Sequence, residues 1–295
     1  MKKLDGTFAV LPTPFNKNEE INFAGLEHNI DWNIKKGIHG IIPLGSTGEF
    51  TTLTPEEKKE VLDLVVSKVD NRVPICVGVS ANSTSQVIKN ASYAESLGVD
   101  GLLILPPYYF NPLQEEILKH FNLINEAVDI PVMVYNNPGV TGVDIQLETV
   151  MKIAENDNVK YIKESTGDIT RLREIERNQK DKITTFCGCD ELALESFFFG
   201  ARGWVSVISN AFPSESAQLF ELAANEKDYE KAKVLYNKLL PFCIELEHSG
   251  KLVQVLKYLM DKVGAYGGYS RAPKLPLTTD HKKKLDSMLE KSGLL

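Results

Sequence analysis

The sequence predicts an α/β protein, a (β/α)8 TIM barrel followed by a C-terminal helical appendage. Eight short strand-like runs alternate with helix-like segments, and the runs start about 20 to 35 residues apart, which is the spacing of βα units in a parallel sheet. Several runs, such as Gly101–Leu105, are almost continuously apolar, as expected for strands that are covered on both faces. Eight such units within roughly 225 residues fit a barrel better than a doubly wound sheet.

The predicted strands and helix starts follow one another along the chain. The strands are Thr7–Leu11, Gly40–Leu44, Val73–Val79, Gly101–Leu105, Ile130–Tyr135, Val159–Lys163, Ile183–Cys187 and Gly203–Ile208. A capping box with proline at the first helical position begins at Thr54, and the segments that begin at Ser83 and Asn111 repeat this pattern. Each of these helices starts several residues after a strand, and in a barrel the intervening loops form the active-site face. No G-x-G-x-x-G motif follows the first strand, which disfavours a dinucleotide-binding sheet.

The alternation of strands and helices ends near Asn225. Beyond it, i, i+3, i+4 apolar spacing predicts three helices: Asp228–Leu246, Lys251–Val263 and one near Thr279–Glu290. We therefore predict a catalytic barrel over residues 1–225 and a C-terminal helical domain over residues 226–295.

The composition limits the classes of partner and cofactor. With 43% hydrophobic and 25% charged residues, the chain is predicted to be a soluble globular protein, and its net charge of −7 disfavours nucleic acid and anionic membranes as partners. The amino-terminal residues show no apolar signal core, and no run approaches the ~20 apolar residues of a membrane span, so we expect a cytoplasmic protein. The four cysteines are too few for a disulfide scaffold, and the five histidines form no metal-binding motif, so no metal site is predicted.

One strand, Val159–Lys163, carries the residue that we predict to be a nucleophile. Side chains alternate along a strand, so Val159, Tyr161 and Lys163 share one face, and the two bulky residues indicate that this face is buried. Burial disfavours the ammonium form of an amine, and the neutral amine can add to a ketone. From this stretch alone, Lys163 could also be an ordinary lysine at the end of a strand. The residues at the ends of the other strands are needed to distinguish a nucleophile from such a lysine.

The loops after other strands bring groups that suit an oxo acid to the same face. The loop Gly45–Glu49 combines glycines, which let the backbone come close to a ligand, with hydroxyl and N–H groups that suit a carboxylate. The fourth strand is followed by Pro106–Pro112, the fifth ends at Tyr135 and the seventh ends next to Gly188. A tyrosine within reach of the lysine amine can transfer the protons that imine formation requires. Each motif alone is weak evidence for such a site, but the motifs together, in this order on eight strands, are specific evidence for it.

In these motifs the sequence resembles the dihydrodipicolinate synthase/N-acetylneuraminate lyase family of Schiff-base enzymes, and the resemblance extends over essentially the whole chain. It implies that Lys163 forms an imine with the keto carbon of pyruvate or another 2-oxo acid. It also implies that Tyr135 shuttles protons beside the lysine. Ser46 and Thr47 would hold the substrate carboxylate and link to the tyrosines.

The resemblance further implies how the pocket is completed. Gly188 and Val205 would line it, and Tyr109 would reach across a subunit interface into a neighbouring site. The family typically forms homotetramers built from dimers, so we expect a homotetramer or a homodimer. It uses no metal and no organic cofactor, and neither is expected here.

Differences from the synthases of the family bear on the predicted reaction. Val140 stands where the synthases carry an arginine that helps hold the aldehyde substrate, so another basic side chain, such as Arg202 or Arg271, would have to replace it. Ser46 precedes Thr47 where the synthases usually carry two threonines. The lysine-feedback pocket of the synthases is not expected, because other side chains occupy its positions: Phe50, Pro55, Lys58 and Gln86.

We therefore predict a class I Schiff-base lyase that acts on pyruvate or a 2-oxo acid. The segment Lys163–Asp168 resembles family members that dehydrate or deaminate sugar-acid and hydroxyproline-derived 2-oxo acids. The leading reaction is thus aldol cleavage, or dehydration or deamination of a 2-keto-3-deoxy-type or hydroxyproline-derived acid. Two alternatives remain open. One is a genuine 4-hydroxy-tetrahydrodipicolinate synthase that condenses pyruvate with aspartate semialdehyde, and the other is a non-catalytic 2-oxo-acid-binding paralogue.

Overall fold

The predicted barrel is confirmed by a computed structural model, which describes residues 1–179 and 181–294. Eight parallel strands form one sheet in the order β2-β1-β8-β7-β6-β5-β4-β3. The two end strands approach each other, because Ile41 and Ile75 form a parallel bridge and the Gly78 N–H donates to the Pro43 carbonyl at 3.0 Å. Apart from β1 and β8, where the first and last strands meet, neighbouring strands are consecutive in the sequence, which is the connectivity of a (β/α)8 barrel.

The strands and helices of the described residues have the following bounds. The strands are β1 (Gly6–Val10), β2 (Gly40–Ile42), β3 (Cys76–Gly78), β4 (Gly101–Ile104), β5 (Val132–Asn136), β6 (Val159–Glu164), β7 (Thr184–Cys187) and β8 (Gly203–Ser206). The helices that accompany the strands are α1 (Phe23–Lys35), α2 (Pro55–Val69), α3 (Thr84–Ser96), α4 (Gln114–Asn125), α5 (Pro138–Thr141), α6 (Leu147–Ile153), α7 (Ile169–Gln179), α8 (Ala193–Phe198) and α9 (Pro213–Phe220). The chain ends in α10 (Tyr229–His248), α11 (Leu252–Val263) and α12 (Thr279–Ser292).

All eight predicted strands are confirmed, with differences at their ends. The second strand is shorter than predicted, because Leu44 has a φ of 58° and therefore leaves the extended conformation. Two predicted helix starts are also confirmed: Thr54 forms the capping box of α2, and the Ser83 side chain caps α3.

The predicted start at Asn111 is wrong. The helix α4 begins at Gln114, and the residue before it is Leu113, whose side chain cannot accept a hydrogen bond. The Glu116 carboxylate instead accepts the Leu113 N–H at 2.7 Å, which supplies half of a capping box. The acidic residues of the first turn thus fix the helix start here, not the Asn-Pro pair.

The three C-terminal helices are confirmed; α10 and α11 pack against the barrel, and α12 packs against α10. Trp204 points outward from β8 and is fully buried in a hydrophobic cluster that includes Phe242 of α10 and Leu256 of α11. The division at residue 225 stays a prediction, and Leu295, the last residue of the predicted helical domain, lies outside the described residues. Among the residues that the structure describes, none of the helices combines the length and apolarity needed to cross a membrane.

Candidate active site

Lys163 and Tyr135 lie side by side at the C-terminal end of the barrel. They are paired in the register of β6 and β5, and the Lys163 amine lies 3.9 Å from the centre of the Tyr135 ring. Both side chains are 5% exposed. Within residues 1–179 and 181–294 the amine makes no hydrogen bond and no salt bridge, so the aromatic ring is its main neighbour. An amine in this setting is open to an incoming ligand.

Asn137 orients the Tyr135 hydroxyl. Its side-chain Nδ2 donates to the Tyr135 oxygen at 2.9 Å, while its Oδ1 caps the short helix α5 by accepting the Val140 N–H at 3.2 Å. The cap fixes which end of the amide faces the tyrosine. Because the tyrosine oxygen is the acceptor in this bond, its own proton stays available to a ligand beside Lys163.

Gly188 leaves the space that the lysine occupies. It follows β7 directly, and a Cβ built on it would overlap Ser165 Oγ and lie 2.9 Å from Lys163 Cε. A residue with a side chain would therefore displace the lysine or the strand end next to it. Gly188 therefore lies next to Lys163, and its role as a pocket residue stays a prediction.

Ser46 and Thr47 lie in the loop after β2, at the same end of the barrel. Thr47 is buried, and Ser46 Oγ is also buried but has no hydrogen-bond partner among the described residues. Ser165 Oγ, next to Gly188, is in the same situation. Buried hydroxyl groups usually find a partner, so two unpaired ones in the loops around the barrel mouth are available to a polar ligand.

The two other predicted site residues lie in different surroundings. Val205 is fully buried inside the barrel, where β8 pairs it with Phe8 of β1. Tyr109 is 89% exposed, and the structure does not bring it to Lys163 of the same chain. Its loop is nevertheless anchored, because the Tyr109 N–H donates to Asn82 Oδ1 at 3.1 Å.

Two acidic residues near the site are absent from the prediction. Asp190 is fully buried and accepts hydrogen bonds from Trp204 Nε1 at 2.9 Å and the Ile208 N–H at 2.7 Å. Burial raises the pKa of Asp190 to about 7, and the nearby Glu247 carboxylate adds to this shift. Glu247 extends from α10 to accept the Asp190 N–H at 3.4 Å. Burial raises the pKa of Glu247, and the positive charge of Lys163 opposes this shift. Through Glu247, the C-terminal helices contribute to the surroundings of Lys163.

Cys189, between Gly188 and Asp190, has a thiol whose pKa is raised to about 12 by burial, so it is protonated at neutral pH and is not a nucleophile. In the described part of the chain, no group of three or more His, Cys, Asp or Glu side chains is placed to hold a metal ion.

Comparisons with known proteins match the whole chain. A sequence model described as the dihydrodipicolinate synthetase family matches residues 3–292. A 4-hydroxy-tetrahydrodipicolinate synthase of Methanocaldococcus jannaschii is 35% identical over 291 residues, covering 98% of this chain and 99% of the relative. One of Bartonella bacilliformis is 37% identical over 297 residues, covering 99% of each. The crystal structure of a chloride-inhibited dihydrodipicolinate synthase from Acinetobacter baumannii, complexed with pyruvate, has a TM-score of 0.95 at 32% identity and covers 99% of this chain and 100% of its own.

Proposed function

Because the chain belongs to the dihydrodipicolinate synthetase family, whose members are class I aldolase-type lyases, we propose that Lys163 forms an imine with pyruvate or another 2-oxo acid. The observation that carries this proposal is the buried Lys163 amine, 3.9 Å from the Tyr135 ring and without a hydrogen-bond partner among the described residues. The bound pyruvate in the related Acinetobacter baumannii structure supports the choice of ligand. As the family consists of lyases, the alternative of a non-catalytic paralogue loses its basis.

The chemistry of imine formation assigns a task to each neighbour of Lys163. The neutral amine adds to the keto carbon, and the ketone oxygen takes a proton through the Tyr135 hydroxyl. Loss of that oxygen as water leaves the imine, and the proton released by nitrogen returns through the tyrosine. The bond from Asn137 keeps the hydroxyl proton turned toward the substrate.

The remaining residues hold the substrate in place. Ser46 and Thr47 bind its carboxylate with hydroxyl and N–H groups, and the unpaired Ser46 Oγ supports this role. Gly188 provides room beside Lys163, and Val205 closes the pocket from the barrel interior.

Sodium borohydride reduction in the presence of pyruvate tests the imine. We expect a stable mass addition on the peptide that contains Lys163, because reduction converts the imine to a secondary amine that cannot hydrolyse. A Lys163→Met variant treated in the same way serves as the control and should stay unlabelled. An unmodified Lys163 in the wild-type chain, or labelling of another lysine, would contradict the proposal.

Two observations disagree about the second substrate. The names of the relatives favour condensation of pyruvate with aspartate semialdehyde, the synthase reaction, over the cleavage, dehydration or deamination that the sequence predicts first. Val140, which is 49% exposed on α5, supports the other lyase reactions because it offers no charge to a second carboxylate. Neither basic replacement is placed to help: Arg202 binds Asp5 at the opposite end of the barrel, and Arg271 binds Glu57.

We expect slow synthase turnover that lysine does not inhibit. Losing a charged hydrogen bond costs on the order of 1.5 to 3 kcal/mol, which corresponds to roughly tenfold to more than a hundredfold in rate. The lysine-feedback positions Pro55, Lys58 and Gln86 line a cavity of about 350 Å³ that also contains Lys59 and Lys89. These positive charges repel a lysine ligand.

A coupled assay with pyruvate and aspartate semialdehyde, run with and without millimolar lysine, measures both effects. A panel of 2-keto-3-deoxy and hydroxyproline-derived acids provides the comparison. Turnover of aspartate semialdehyde that equals or exceeds turnover of every acid in the panel would establish the synthase reaction instead. Clear inhibition by lysine would show that the cavity binds it despite its charge.

The exposed Tyr109 is proposed to act in the site of a neighbouring subunit. Its aromatic side chain is 89% exposed although its backbone is anchored by Asn82, a combination that suits a residue presented to another chain. A homotetramer or homodimer is proposed on this basis and because the family typically forms homotetramers built from dimers. The cytoplasmic location likewise stays a prediction from the sequence.

Mixed oligomers test the role of Tyr109. We expect Lys163→Ala and Tyr109→Phe chains, each inactive alone, to recover activity when they are mixed and reassociated, because the intact lysine of one subunit then meets the intact tyrosine of another. The control mixture combines Lys163→Ala with Tyr135→Phe and should stay inactive, since no site in it contains both groups. Absence of recovery in proven mixed oligomers would refute the role of Tyr109 in a neighbouring site and would assign it to its own subunit or to packing.

A further inference from the structure

Lys257 is a buried lysine of α11 that joins three separate segments of the chain. It is 2% exposed, and its Nζ donates to the Thr13 carbonyl at 2.8 Å, to Glu49 Oε1 at 2.7 Å and to the Tyr269 carbonyl at 2.5 Å. Burial lowers the pKa of Lys257 to about 8, while the Glu49 carboxylate acts in the opposite direction. All three ammonium protons therefore have a partner, and one partner is charged.

Glu49 is the last residue of the loop that carries Ser46 and Thr47. Its φ is 56°, a left-handed conformation that a glutamate adopts only where the surrounding structure holds it. Its N–H donates to the Ser46 carbonyl at 3.0 Å, so the position of Glu49 is coupled to the backbone of Ser46. The Glu49 side chain is fully buried, and its second oxygen lies 3.2 Å from Lys274 Nζ.

A second path connects Lys257 to the same loop. Thr13, whose carbonyl binds Lys257, donates its hydroxyl to the Gly48 carbonyl at 2.7 Å. Lys257 thus holds the loop both through the Glu49 carboxylate and through Thr13.

We propose that Lys257 is a positioning residue, which holds Ser46 and Thr47 in the geometry that binds the substrate carboxylate. This inference rests on the proposed function, in which these two residues bind the carboxylate. It means that α11, outside the barrel, sets the affinity of the barrel's site for 2-oxo acids. A buried ion pair suits such a task, because it adds little to stability but fixes the placement of the groups that it joins.

Three variants separate positioning from stability: Lys257→Met, Glu49→Gln and the double variant. The measured quantity is the pyruvate concentration that gives half-maximal borohydride labelling of Lys163. We expect it to rise by about tenfold or more in all three, the effect of losing a well-placed charged contact. The double variant leaves no unpaired buried charge, so its melting temperature should recover toward the wild-type value while its affinity for pyruvate stays low.

Arg202→Met is the control, since it removes a more exposed ion pair of 3.0 Å to Asp5 at the other end of the barrel. It should lower the melting temperature without changing the half-maximal pyruvate concentration. Amide hydrogen exchange of the segment 45–49 is a measurement that does not depend on imine formation. We expect faster exchange of this segment in Lys257→Met than in Arg202→Met.

The outcomes distinguish this inference from the proposed function. Wild-type protein that is never labelled at Lys163 refutes the imine, and hydrogen exchange then still decides whether Lys257 holds the loop. Normal labelling with an unchanged pyruvate dependence in the Lys257 and Glu49 variants refutes positioning alone. So does a double variant that regains wild-type affinity together with its stability.

Discussion

Replacing Tyr135 with phenylalanine should lower kcat by about a hundredfold or more while the fold is retained, because a positioned acid–base group contributes about 10² to 10⁴ in rate. The ring, and with it the 3.9 Å contact to Lys163, stays in place. Only the hydroxyl that carries protons to and from the substrate is lost. The effect should appear in kcat measured on the substrate that the panel identifies, and imine formation should slow in parallel.

Tyr161→Phe provides the matched control for this change. Tyr161 lies on the same face of β6 as Lys163, and its hydroxyl accepts the Leu4 N–H at 3.1 Å. The substitution therefore removes a buried tyrosine hydroxyl at a distance from the chemistry. This variant should lose about 1 kcal/mol of stability, the usual net value of one hydrogen bond, and keep its kcat. If both variants keep kcat, Tyr135 is not the proton shuttle; if both lose it, the loss reflects the packing of the barrel interior.

The sequence was a good guide to the fold because the barrel depends on local patterns. Several strands are short apolar runs, such as Gly101–Ile104, and the strands alternate with segments of helical periodicity. What the patterns could not supply are the exact ends. Leu44 leaves the strand conformation through a positive φ, and α4 starts after Leu113 through a contact with Glu116 that composition does not reveal.

For the candidate site, residues at the ends of the strands could be predicted from the sequence, but residues that lie far from Lys163 along the chain could not. The proximity of Lys163, Tyr135 and Gly188 could be predicted because parallel strand ends meet at one face of a barrel. Asn137 was within reach, since it follows Tyr135 by two residues and caps α5. The contributions of Glu247 and Lys257 could not be predicted, because these residues lie 84 and 94 positions beyond Lys163 in the sequence. Helical periodicity identifies them only as members of amphipathic segments.

Gly188→Ala should be as damaging as the loss of the Tyr135 hydroxyl, although it adds only one methyl group. The new Cβ would overlap Ser165 Oγ and would lie 2.8 Å from the Glu164 carbonyl oxygen and 2.9 Å from Lys163 Cε. The serine side chain can rotate away, but the backbone carbonyl cannot, so the strain falls on Lys163. A displacement of about 1 Å of a reacting group can cost about a hundredfold in rate. We therefore expect kcat to fall by about that factor.

The control for Gly188→Ala is Gly101→Ala, at the other end of the barrel interior. There a Cβ would lie 3.0 Å from Leu4 Cδ1 and 3.3 Å from the Pro131 carbonyl oxygen, which is milder crowding than at Gly188 and has no catalytic neighbour. Overpacking of this kind destabilises a core by about 1 to 3 kcal/mol, so both variants should melt at a lower temperature. Only Gly188→Ala should also lose kcat and borohydride labelling of Lys163 at saturating pyruvate. Full activity in folded Gly188→Ala protein would mean that the lysine can shift without losing its reaction, and that the space beside it is not what the glycine preserves.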